Sequence, residues 1–245
     1  MRLVHTFSIL LFCSFFMFSC KGKTTDKNSS DDKILIFSKT AGYRHASIEA
    51  GIAAIKELGN ENGFLVDATE DSTQFTSAVL SEYKAVVFLN TTGNVLNSTQ
   101  EKAFKSYIQA GGGFVGVHAA SDTEYDWPWY NKLVGAYFNG HPEIQEASMD
   151  VLIDAHMSTK HLPKKWIKTE EWYNFKSINP DINVLIVVDE TSYQGGTNGD
   201  THPISWYHNF DGGKSFYTAM GHGAETFQEP KFRKHLLGGI QSVID

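Results

Sequence analysis

The sequence predicts an α/β fold: a doubly wound, mostly parallel sheet in three layers, with added antiparallel strands in its C-terminal half. Three observations predict it. Short apolar runs alternate with helical periodicities four times across the first half of the chain, the pattern of parallel strands joined by crossover helices. Several of these runs carry almost no polar residue, as strands covered on both faces do. In the second half the helical spacing gives way to short extended segments separated by turns such as Gly195-Gly196 and Asp211-Gly212-Gly213, the latter between adjacent strands as in a hairpin.

The elements follow in order. Lys33 to Ser38 reads as the first strand, and Lys39 to His45 as its loop. Ser47 to Asn62 is a helix, because Ile48, Ile52, Ile55 and Leu58 recur at helical spacing and Gly63 ends it. Phe64 to Thr69 is a strand, Phe75 to Glu82 a short helix, and Ala85 to Leu89 a strand followed by the loop Asn90 to Gly93. Ser98-Thr-Gln-Glu101 reads as a capping box opening a helix to about Ala110. Gly111-Gly112-Gly113 stops it, and Phe114 to Val117 is the fourth strand. Trp127 to Leu133 reads as a short helix. Extended segments are expected at Glu143 to Ile153, Trp166 to Glu170, Asn183 to Val188, Ile204 to Tyr207 and Lys214 to Ala219, and a closing helix at Pro230 to Ile244. No repeat or domain boundary interrupts residues 33–245, so the later strands should extend the same sheet. Ligands of such sheets sit at the carboxyl ends of the strands: here Ser38 to His45, Thr69 to Asp71, Asn90 to Gly93 and His118 to Asp122.

The first residues have another character. Met1 to Cys20 reads as a secretory signal: Arg2 and His5, then an apolar run from Phe7 to Phe18, too short for a spanning helix. Ser19 before Cys20 resembles a lipoprotein processing site, although Met17 stands where leucine is usual. Cys20 is therefore the expected lipid attachment point; the alternative is an ordinary cleaved signal with Cys20 incidental. Residues 21–32 form a polar tether, expected to be disordered. Lys21-Gly-Lys23 follows the cysteine instead of an acidic run, which favours an exported protein held by its lipid on the periplasmic side over one on the cell surface.

Both cysteines, Cys13 and Cys20, fall in the signal. The folded domain thus has no thiol nucleophile, disulfide or cysteine metal site. A formal net charge of −7 with no basic stripe argues against a nucleic-acid partner.

Two strand ends carry reactive side chains. In Gly111-Gly-Gly-Phe-Val-Gly-Val-His118-Ala-Ala120 an apolar strand runs into a small-residue turn with His118 at the bend, the logic of a nucleophile elbow. Imidazole there can serve as base, acid or metal ligand; a buried structural histidine is the plainer reading. In Tyr217-Thr-Ala-Met-Gly-His222-Gly-Ala-Glu225 a second apolar strand ends at His222. Loops add Tyr43, Arg44 and His45 after the first strand and Asp122 after the elbow. Glu171 stands beside Trp172 and Tyr173, and His202 lies near Trp206, pairings suited to gripping a sugar ring but equally to an aromatic core. No local zinc motif appears. A divalent metal held by distant histidines, with His118, His202 and His222 as the available ligands, stays open.

Five ordered segments, Thr40-Ala-Gly-Tyr-Arg-His45, Gly112-Gly-Phe-Val-Gly-Val-His-Ala-Ala120, Glu170-Glu-Trp-Tyr173, His202-Pro-Ile-Ser-Trp206 and Phe216-Tyr-Thr-Ala-Met-Gly-His222, resemble the ThuA-like (trehalose utilisation) family over residues 33 to 245. The resemblance implies a glutamine-amidotransferase-like fold without its cysteine, and a role in disaccharide and glycoside breakdown through 3-keto sugars alongside sugar oxidoreductases. It places His45, His118, His202 and His222 on family motif positions, with Glu171 beside them. The Glu170-Glu171 pair departs from the family's usual Asp-Glu.

Two functions follow as expectations. The first is an enzyme, an isomerase, lyase or hydrolase, acting on a keto-disaccharide or glycoside. His118 and His222 would be its acid–base pair or ligands and Glu171 an auxiliary. Tyr43, Arg44, His45, Asp122, Trp172, Tyr173, His202 and Trp206 would hold the sugar. The second is a non-catalytic carbohydrate-binding lipoprotein using Trp172, Tyr173, Trp206 and Tyr207 as stacking faces.

Overall fold

An unbroken apolar run of five residues suits a strand sandwiched between two layers, and the runs fall there. The computed structural model describes Met1 and residues 32–244; the signal segment, Cys20 and nearly all of the tether lie outside the described residues. β1 (Lys33–Phe37), β3 (Ala85–Leu89) and β4 (Gly113–Val117) are buried almost throughout, while β2 (Leu65–Thr69) is a half-exposed edge. β11 (Gly213–Thr218), late in the chain, pairs parallel with β4. The parallel half of the sheet therefore runs β2-β1-β3-β4-β11.

The later strands extend this sheet, as expected. β10 (Pro203–Phe210), β9 (Asn183–Val188), β6 (Gln145–Val151) and β7 (Lys165–Glu170) continue it antiparallel, to nine strands in all. β5 (Tyr137–Phe138) and β8 (Phe175–Lys176) form a separate antiparallel pair, unforeseen because two residues are too few to show an alternation.

Helices cover both faces. α1 (Ile48–Asn62) and α5 (Pro230–Ile244) pack together on one. α2 (Ser77–Leu80), α3 (Ser98–Gln109) and α4 (Pro128–Val134) occupy the other. Side chains alternate between the layers along a strand: Ser215 Oγ donates to the Leu133 carbonyl of α4, while Phe216 lies against Gly239 of α5. Two expected elements differ. The helix expected from Phe75 to Glu82 is only the single turn α2, preceded by a 3₁₀ turn at Ser72–Gln74. The capping box of α3 sits one residue earlier, with Asn97 as the cap and Gln100 reciprocating.

Candidate active site

The parallel strands deliver their loops to one end of the sheet, and three histidines meet there. After β4 the backbone turns at His118, whose φ is +49°, a left-handed conformation costing a non-glycine residue on the order of 1 kcal/mol or more. The chain then enters a 3₁₀ turn, His118–Asp122. Small residues permit the bend: a Cβ on Gly116 would come within 2.8 Å of the Tyr217 ring and 3.3 Å of Ala120. The Tyr217 hydroxyl donates to the His118 carbonyl at 2.7 Å, and His118 Nδ1 lies 2.6 Å from the carbonyl of Ala219, just past β11. A carbonyl only accepts, so the neutral ring carries its proton on Nδ1 and presents the lone pair of Nε2.

His222 arrives from the end of β11 through Gly221, whose φ is +122° and whose Cβ would crowd Val117 at 3.1 Å. The Gly221 carbonyl accepts from Ser47 Oγ (3.0 Å) and Asn90 Nδ2 (3.2 Å), which ties this loop to the start of α1 and the end of β3. His45 ends the β1 loop, itself pinned to Thr92 through the backbone N–H groups of Ala41 and Gly42.

The acid comes from farther away. β7 lies four ladders from β11, roughly 19 Å in a flat sheet. Yet Glu170, the last residue of β7, accepts hydrogen bonds from the backbone N–H groups of Gly221 and His222, each at 3.3 Å, and from Thr226 Oγ1 at 3.2 Å. The antiparallel half must curl until its outer edge closes on the loop after β11. Glu170 thereby braces the His222 loop, and Glu171 enters the cleft.

Glu171 Oε2 lies 3.1 Å from His222 Nδ1 and 3.3 Å from His118 Nε2, and Oε1 lies 3.3 Å from His141 Nδ1. These are ion-pair separations. His118 Nε2 and His222 Nδ1 are not aligned for hydrogen bonding to the carboxylate, and His45 Nδ1 is buried without a partner. The His45 ring stands edge-on to both others, with centroids 4.8 Å from His118 and 5.3 Å from His222. One donor atom from each of His45, His118, Glu171 and His222 lies within 4.8 Å of all the others, so these four side chains could hold a metal.

The charges are mutually adjusted. Burial opposes ionisation of Glu171, but the imidazoles of His118 and His222 outweigh it and hold the carboxyl well below the usual range. The same contact raises His222 against its burial. Burial, reinforced by the neighbouring imidazoles, depresses His45 to about 3. Near neutral pH an ionised carboxylate therefore faces a neutral His45 ring.

Above this floor lies a cleft of about 430 Å³. Tyr43, Phe138 and Tyr173 give it aromatic walls, and Asp122 and His141 add polar groups. Burial raises Asp122, opposed by a 2.6 Å hydrogen bond from the Tyr125 hydroxyl. Tyr173 also backs His118, at a centroid distance of 4.2 Å.

Of the residues singled out from the sequence, His45, His118, Glu171, His222, Tyr43, Asp122 and Tyr173 are brought together. Four others point elsewhere. Arg44 lies along the surface, ion-paired to Glu49 (2.6 Å) and Glu70 (2.7 Å); the latter takes up the loop after β2. Trp172 is buried with its indole N–H donating to the Gln145 carbonyl, and Trp206 is buried against Tyr217 with its N–H donating to the Val134 carbonyl. His202, offered as a metal ligand and a sugar contact, is fully buried. Its Nδ1 lies 2.8 Å from Glu190 and its Nε2 2.7 Å from the Tyr173 carbonyl. Both ring nitrogens are thus engaged away from the other histidines. His141 and Phe138 had no role assigned from sequence; the β5–β8 ladder positions them.

A family model described as trehalose utilisation, ThuA, matches residues 33–242. Among solved structures the chain is similar to a ThuA-like protein from Bacteroides uniformis, at 28% identity and a TM-score of 0.74 over 87% of this chain and 91% of that one. It is also similar to a ThuA-like protein from Parabacteroides merdae, at 22% identity and a TM-score of 0.73 over 87% and 90%. A β-galactosidase from Bacillus circulans sp. alkalophilus shares the fold across 30% of its own length, at 13% identity and a TM-score of 0.55. No curated protein sequence matches. With the family match running from β1 into the last turn of α5, the chain belongs to the ThuA, trehalose-utilisation, family.

Proposed function

We propose that this protein is an enzyme of carbohydrate catabolism that takes a keto-disaccharide or related glycoside into the cleft above Glu171. The observation that carries the reading is the meeting of His45, His118, His222 and Glu171 beneath aromatic walls, with the carboxylate ionised. A 3-keto group acidifies the C–H beside it. A base in the cleft takes that proton and the C–H pair forms an enediolate. Reprotonation at the other carbon isomerises the sugar. Alternatively, collapse of the enediolate expels the glycosidic oxygen, which leaves with a proton from a cleft acid. His118 and His222, as acid–base pair or as ligands, with Glu171 between them, are the residues assigned to this work. Of the stacking faces expected for a purely sugar-binding protein, Trp172 and Trp206 lie in the core and Tyr173 stands in the cleft wall.

Export and a lipid anchor at Cys20 belong to the same proposal. Among the described residues no helix is long and apolar enough to cross a membrane, so the anchor would be the domain's membrane attachment. Incubation of the protein with a panel of 3-keto disaccharides, followed by NMR and mass spectrometry, tests the enzymatic reading. The expected result is a new isomer or a released monosaccharide, with Glu171→Gln slower by about 10²- to 10⁴-fold. Wild-type protein that binds these sugars and returns them unchanged would overturn it.

A further inference from the structure

We infer that His45, His118, His222 and Glu171 bind one divalent first-row transition ion, of the Zn²⁺ type, at the floor of the cleft. The inference deepens the sugar-processing reading and rests on it only for the use the ion would have. Three observations lead to it.

The first is spacing. Ligand atoms around a tetrahedral zinc with bonds near 2.05 Å lie roughly 3.3 Å apart. Glu171 Oε2 is 3.1 Å from His222 Nδ1 and 3.3 Å from His118 Nε2, and the whole donor set falls within 4.8 Å. An inward movement of the donor atoms of about an ångström would close this set onto one ion.

The second is unsatisfied capacity. His118 Nε2, His222 Nδ1 and His45 Nδ1 are all buried without a hydrogen bond, and His118 itself is fully buried. Leaving a buried polar atom unpaired costs about 1–3 kcal/mol, so several around one point would be a heavy burden for a site meant to stay metal-free. A cation between His118, His222 and the carboxylate would use ring-nitrogen lone pairs that no hydrogen bond occupies.

The third is the outer support. Metal-bound imidazoles donate their other N–H to a carbonyl or carboxylate, which fixes the ring. His118 Nδ1 does so to the Ala219 carbonyl at 2.6 Å. Glu170 holds the backbone carrying His222. Three imidazoles and one carboxylate suit zinc and its neighbours, whereas magnesium and calcium take oxygen ligands. His45, Glu171 and His222 also line the cleft, so the ion would keep a face open to a sugar oxygen and could polarise a keto group as a Lewis acid.

Calorimetric titration of chelator-treated, dialysed protein with Zn²⁺ alone tests the site, with Co²⁺ absorption as a second readout. The expected result is one ion per chain and a cobalt spectrum of low-symmetry coordination. Glu171→Gln and His222→Gln should each weaken binding by at least about tenfold, the lower end of what even outer-shell partners are worth, while circular dichroism shows them folded. His161→Gln, half-buried against the Lys231 carbonyl and not among the cleft residues, should leave stoichiometry and affinity unchanged. No stoichiometric binding, or binding indifferent to both cleft substitutions, would overturn the inference. Metal binding without any turnover of keto sugars would instead sink the sugar reading and leave the site standing. Turnover persisting in protein shown to bind no metal would do the reverse.

Discussion

The ring of His118 is aimed by the carbonyl of Ala219, 2.6 Å from its Nδ1. Because Ala219 follows β11 and His118 follows β4, the parallel pairing Thr218 to Val117 sets the orientation of the imidazole. His118→Asn keeps a residue that tolerates left-handed backbone and removes the ring. Turnover of a responsive keto-disaccharide should fall by about 10²- to 10⁴-fold, while far-ultraviolet circular dichroism is retained. Steady-state kinetics on the purified variant checks this.

Glu170 is a positioning residue. It accepts from Gly221, His222 and Thr226, and Lys168 Nζ, also buried, lies 3.6 Å away while reaching Glu229 at 2.6 Å. Glu170→Gln should destabilise the fold by about 1–3 kcal/mol, as loss of a buried charged partner does. Combining it with Lys168→Met should cost less than the sum of the two single changes. Urea unfolding of the four proteins of the cycle measures the coupling; strict additivity would mean that Glu170 and Lys168 act independently.

Acid should weaken the fold before carboxylates begin to titrate. His235 is fully buried between Ser158 and Ser205, and burial depresses it to about 3. Its unfolded value is the higher one. As pH falls below about 6.5 the unfolded chain takes up a proton that the folded chain refuses, so stability present above that pH is lost on the way down. This one residue contributes a slope of at most about 1.4 kcal/mol per pH unit. His208, depressed by burial, acts in the same direction. Unfolding free energy measured between pH 7 and about 4.5, above the ordinary carboxylate range, should decline, and His235→Gln should flatten that decline even though it lowers stability at neutral pH.

Trp206 and Phe138 should separate stability from sugar recognition. Trp206→Phe removes a buried indole N–H from the Val134 carbonyl and should cost about 1–3 kcal/mol of stability, with KM unchanged. Phe138→Ala strips an aromatic wall of the cleft and should raise KM several-fold, consistent with about 1 kcal/mol for an aromatic contact. Thermal melts and sugar kinetics on both variants check the contrast.

The fold was legible where apolar runs and helical spacing were long enough to register. β1, β3, β4 and α1 needed nothing beyond their own residues. The capping box of α3 was misplaced by one position because Asn97 and Ser98 are both good caps in sequence; Asn97 prevails by accepting from Thr99 and Gln100, with Gln100 closing the box. His45, His118 and His222 could be singled out because each lies on the segment that leaves the carboxyl end of a strand of the parallel half. Trp172, Trp206 and His202 were misread for a common reason. Each has a polar atom that a buried carbonyl or carboxylate satisfies, and those partners lie far away in sequence. His141 stood out only as a loop histidine without a role, because the β5–β8 pairing and the Asn139–Asn174 and Asn174–Gly140 backbone bonds that precede it leave no periodic trace.

The curl that returns β7 to the loop after β11 ties assembly of the cleft to the least local part of folding. β10, β9, β6 and β7 must stack in sequence before either glutamate reaches its place. Side chains alternate between faces along a strand: Glu170 grips the backbone of residues 221 and 222, whereas Glu171 meets the imidazoles. A one-residue slip in the pairing of β7 with β6 would carry both acids to the wrong face: one direction brings Trp172 to the floor in place of its anion, the other brings Thr169 to the brace in place of its anchor. A misregistered chain would thus be inert instead of weakly competent, so activity in this architecture reports that the final edge has locked correctly.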